Sequence, residues 1–127
     1  STELIKAITF HDVPEAHIGD MPYTAKQAFI GLKQMNKEAE KAIIERFNLP
    51  NTEDLNEEDK KWLKALDMLE LVIFCMDELY MGNKHIQTTL MNGVDVLKTI
   101  EIPKELRIIT DCTIYQAEKM CGLVDQE

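Results

Sequence analysis

Three places in this sequence carry side chains whose types and spacing suit chemistry. The first is His11-Asp12, at the end of an apolar stretch and followed by Glu15 and Gly19-Asp20. An imidazole nitrogen beside a carboxylate oxygen is a donor pair suited to a divalent transition metal. A His-Asp dipeptide alone says little, because chance supplies many of them. The second is Asp67, in Lys64-Ala65-Leu66-Asp67-Met68-Leu69, with Glu70, Asp77 and Glu78 farther on. A carboxylate inside a buried helix is costly unless it is paired or binds a metal. The plain alternative is a helix face open to water, or an ion pair with a lysine. The third is Lys26, read as a loop residue beside Tyr23 and Thr24 and, apart from Lys6, the cation nearest to 11–20 along the chain. It could meet phosphate charge, or it could be one more solvated cation.

Helices must position these groups. Ser1 or Thr2 can cap a helix carrying Leu4, Ile5, Ala7 and Ile8 up to Phe10, with His11-Asp12 closing it. Val13-Pro14 interrupts the pattern, because the residue before proline avoids the α region. One more turn over 15–18 and a loop at 19–22 follow. Thr24 with Gln27 has the form of a capping box, opening a helix with Ala28, Phe29 and Leu32 in which Gly31 marks a weak point. A second amphipathic stretch spans about 38–47. After an acidic loop, the longest helix is expected over about 58–80. Its middle, 65–76, is apolar nearly all round, as in a helix at the centre of a bundle. Gly82-Asn83 suits a helix C-terminus. Two further helices are expected over 84–99 and 104–121, separated by Ile102-Pro103. Period-two alternation is absent, and the fold class expected is all-α.

The bulk properties narrow the partners. A chain of 127 residues with 45 % hydrophobic residues can bury a core, and Asp and Glu outnumber Lys and Arg by 23 to 14, a formal charge of −9. With no basic run to offset that charge, binding to a nucleic-acid backbone is not expected. A small anionic substrate would have to be received by a local cation or by a few placed lysines. No stretch has the length of a membrane span, and no signal-peptide pattern is visible. Cys75, Cys112 and Cys121 form no CxxC pair and read as reduced, structural thiols of a cytoplasmic protein.

Taken together, the motifs are more specific than any one of them. The run His11-Asp12-Val13-Pro14-Glu15-Ala16-His17-Ile18-Gly19-Asp20-Met21-Pro22 resembles the second metal motif of the HD-domain 5′-deoxynucleotidases. That motif has a Glu three residues after the Asp, then Gly-Asp-Leu/Met-Pro and a following Lys, here Lys26. Ala65-Leu66-Asp67-Met68-Leu69, followed by Glu78-Leu79-Tyr80-Met81-Gly82-Asn83, resembles the helix that carries the family's last metal ligand.

The resemblance implies an HD-type helical domain holding one divalent transition metal ion (cobalt, manganese, zinc, iron or similar). His11, Asp12 and Asp67 would be the last three of its four ligands. It implies Glu15 as the group that orients or deprotonates the attacking water, Asp20 beside the sugar and Lys26 toward the phosphate. The activity implied is hydrolysis of a deoxynucleoside 5′-monophosphate to nucleoside and phosphate. The alternatives are a deoxynucleoside triphosphate triphosphohydrolase on the same scaffold, or a non-catalytic HD-like domain that binds a nucleotide or a partner. The family's first metal His belongs well upstream of the pair, whereas ten residues precede His11, and neither His17 nor His85 is placed to substitute. The chain is therefore read as the C-terminal part of a longer single domain. The alternatives are that another chain supplies the missing helices, or that the domain is degenerate. Apolar surface left open would be covered by the missing helices, and the partners expected are that N-terminal segment or a second copy in a homodimer.

Overall fold

The computed structural model describes residues 1–19 and 23–124, and among them all regular structure is helical. The chain divides into two compact units, residues 1–56 and 57–127.

The first unit begins with α1 (Thr2–Phe10), whose N-cap Ser1 accepts a hydrogen bond from the Leu4 backbone N–H at 3.0 Å. This satisfies one of the donors that a helix start leaves open. Next comes α2 (Val13–Ile18), with Pro14 in its first turn, where its missing N–H is no loss. Val13-Pro14 therefore starts a helix rather than only ending one. The next helix, α3 (Tyr23–Ala28), includes Thr24 in its body instead of using it as the cap. The break expected near Gly31 lies at Phe29, whose backbone is extended (φ −131°, ψ 97°), and α4 (Ile30–Phe47) runs on without interruption. The gap expected between 32 and 38 closes because polar side chains pair one turn apart. Gln34 donates to Glu38 at 3.3 Å and Asn36 to Glu40 at 2.7 Å. Both α2 and α3 pack on α4. At the end of α4, Asn48 takes the left-handed conformation (φ 50°), and Leu49 N–H reaches back to the Ile44 carbonyl.

The second unit is a three-helix assembly of α5 (Glu57–Tyr80), α6 (Gln87–Thr99) and α7 (Arg107–Met120). Its core joins Leu69, Val72 and Cys75 of α5 to Leu90, Val94 and Leu97 of α6 and Ala117 of α7. Each fully buried leucine contributes about 1.5–3 kcal/mol over the exposed state. The expectation that α5 is buried all round is corrected. Ala65, Leu69, Val72 and Cys75 form the buried side, while Leu71, Ile73 and Phe74 are exposed, Phe74 by 55 %. Gly82 (φ +100°) ends α5 with two reverse bonds, Gly82 N–H to Leu79 O and Asn83 N–H to Glu78 O. Only glycine takes that backbone without strain. Surface ion pairs tie the helices together. Lys98 meets Glu118 at 2.6 Å, from α6 to α7, and Lys61 meets Glu101 at 2.5 Å. Burial pushes the Cys75 thiol pKa up, and the nearby Glu78 charge adds to this, which fits the structural role read from its sequence setting.

Candidate metal site

His11 and Asp12 form the corner between α1 and α2. Because α1 ends here, the carbonyls of its last turn lack intrahelical donors. His11 meets one of them: its ring Nδ1 lies 2.8 Å from the Ile8 carbonyl oxygen. A carbonyl can only accept, so Nδ1 carries the proton, and Nε2 is the nitrogen whose lone pair could go to a metal. This is the arrangement that fixes ring and tautomer in metal-binding histidines. Nε2 lies 3.3 Å from Asp12 Oδ1; the His11 side chain is 21 % exposed and that of Asp12 72 %. Asp12 is the N-cap residue of α2, yet its carboxylate makes no capping hydrogen bond and is turned to the imidazole instead. A nitrogen and an oxygen donor thus stand on one side of the corner, and this pair fits a divalent transition metal.

Glu15 follows one turn into α2, exposed, so Asp12 and Glu15 share a helix face three positions apart. Pro14 is buried on the other side. Lys26 is a helix residue, in the last turn of α3 and half-buried, not the loop residue expected from the sequence. Asp20 lies outside the described residues.

Asp67 belongs to the second unit. It lies on the exposed side of α5, so burial is not what demands a partner for it. Among the described residues, neither unit by itself gathers three or more His, Cys, Asp or Glu side chains around one point. Sequence reading missed Ile8, whose carbonyl sets the His11 ring. The signal was available as the three-residue spacing from a helix-ending His back to the last turn. It also missed the contact of His17 with Phe47, which links α2 to α4.

Among the described residues the structure is all helical, consistent with an HD-domain bundle. The sequence model of the family described as 5′-deoxynucleotidase YfbR-like matches residues 1–113, nearly the whole chain, and the chain belongs to that family. No curated protein and no solved structure matches it. The family is one of phosphohydrolases, and HD-type members generally use a divalent metal. No helix among the described residues is long and apolar enough to cross a membrane.

Proposed function

We propose that the protein hydrolyses deoxynucleoside 5′-monophosphates to nucleoside and phosphate, with His11, Asp12 and Asp67 as metal ligands. The observation that carries this reading is the His11 ring. Its Nδ1 is tied to the Ile8 carbonyl and its Nε2 faces the Asp12 carboxylate. Family membership supplies the reaction class. A divalent cation, when bound, lowers the pKa of its water and draws charge from a phosphoryl oxygen. Glu15 then orients the attacking water or takes its proton. Lys26 offsets phosphate charge in a chain whose net charge of −9 would otherwise repel the substrate. Asp20 accepts a hydrogen bond from the 3′-hydroxyl of the sugar.

The test measures phosphate release from deoxynucleoside monophosphates together with metal content, in wild type and Glu15→Ala. The expected result is a fall in turnover of about 100-fold or more with metal content unchanged, the usual cost of removing a general base. Equal activity in both proteins would remove Glu15 from its role. Loss of metal together with activity would make it a ligand. Release of triphosphate from a deoxynucleoside triphosphate, with monophosphates untouched, would replace the substrate assignment.

A further inference from the structure

We infer that His17 is a positioning residue, holding α2 against α4 so that Asp12 and Glu15 keep a fixed orientation; this rests on the roles proposed above for those two side chains. The sequence sets the problem. A helix of six residues is far shorter than one that is stable alone in water, so α2 must be held by tertiary contacts. It offers few. Asp12, Glu15, Ala16 and His17 are exposed, Pro14 is buried and Ile18 is half-buried, so the contact His17 makes lies at the surface. Pro14, His17 and Ile18 recur at the spacing of one helical side, opposite the carboxylates. The His17 ring is stacked on Phe47, the last residue of α4, with centroids 4.9 Å apart and planes inclined by 20°. The Arg46 guanidinium carbon lies 5.6 Å from the centroid of the same Phe47 ring. Phe47 is held in turn, because the left-handed Asn48 and the bond from Leu49 N–H to Ile44 O lock the helix end that carries it. The stack therefore joins a short helix bearing the reactive carboxylates to the end of a long one.

The chemistry of His17 itself is not needed for this role; its flat ring is. Offset aromatic pairs contribute beyond their buried area, so losing the stack should loosen α2 by about three- to ten-fold in local opening. The experiment compares His17→Ala, His17→Phe and Phe47→Leu with wild type in two readouts. In amide hydrogen exchange, the protection of Ala16 and Gly19, which bond to Asp12 O and Glu15 O, should fall about three- to ten-fold in His17→Ala and Phe47→Leu. It should be retained in His17→Phe. In steady-state kinetics on a deoxynucleoside monophosphate, kcat should fall by a similar factor in the same two variants with KM little changed, and His17→Phe should restore it. Unchanged protection in His17→Ala and Phe47→Leu overturns the proposal. So does a fully inactive His17→Phe with intact protection, which would make the imidazole a chemical participant. If wild type shows no nucleotidase activity, the proposed function fails, and the exchange readout alone decides whether the stack holds α2.

Discussion

Gly93 lies midway along α6, where helix propensity alone would favour alanine by about 1 kcal/mol. The structure reverses that preference. A Cβ built on Gly93 would sit 2.9 Å from Val72 Cγ2 of α5, well inside the roughly 3.5–4.0 Å of a comfortable carbon contact. Val72 is fully buried, and a valine in a helix keeps essentially one rotamer, so the methyl cannot swing aside. The helices must part or the core must distort, and overpacking of this kind costs about 1–3 kcal/mol. Subtracting the propensity gain leaves Gly93→Ala destabilising the second unit by about 1 kcal/mol. Urea unfolding followed by fluorescence of the single tryptophan, Trp62 at the start of α5, reports on this unit. Adding Val72→Ala to Gly93→Ala should cost less than the two changes summed, because the clash is absent in the double variant. A raised midpoint for Gly93→Ala, by the full propensity difference, would refute the close-approach argument.

Three other expectations follow from particular side chains. Thr110 is fully buried in α7 and its Oγ1 has no hydrogen-bond partner among the described residues, whereas Thr113 Oγ1 donates to Ile109 O at 2.7 Å. Thr110→Val should thus raise thermal stability by about 1 kcal/mol, and Thr113→Val should not. For the Lys61–Glu101 pair, the hydrogen bond from Lys61 holds the Glu101 carboxyl below its ordinary 4.5, and the bond to Glu101 raises Lys61 above its ordinary 10.5. The carboxyl's contribution is present above 4.5 and lost as pH falls through the lowered value. That of the amine is present below 10.5 and lost as pH rises through the raised one. The stability difference between wild type and Glu101→Gln, read by thermal denaturation across pH, should be flat between these limits, close on acidification and shrink with salt. Finally, Asp20→Ala should weaken the preference for a deoxynucleotide over its ribonucleotide, read as the ratio of kcat/KM. An unchanged ratio removes Asp20 from the selectivity argument.

Much of the helical plan was legible because it depends on neighbours along the chain. Ser1 caps α1 as its hydroxyl predicts, Gly82 ends α5 in the left-handed conformation, and Ile102-Pro103 separates the last two helices. That His11 and Asp12 close one helix and Glu15 stands in the turn that follows was legible for the same reason, since both are set within a few residues of chain. Contacts between distant residues were not. Composition could not tell which side of α5 would be covered, because Val72 and Phe74 are equally apolar, and only the placement of α6 and α7 buries one and exposes the other. Nor could it join the stretch between 32 and 38 into α4, since the polar pairs Gln34–Glu38 and Asn36–Glu40 form only once the backbone is already helical. Gly93 reads as a weak helix residue until Val72 is found against it, and His17 as a motif spacer until Phe47, thirty residues later, stacks on its ring. Local propensities are settled within a turn or two of chain. Packing compares surfaces that the sequence keeps far apart, and in this protein only the tertiary structure shows which of them meet.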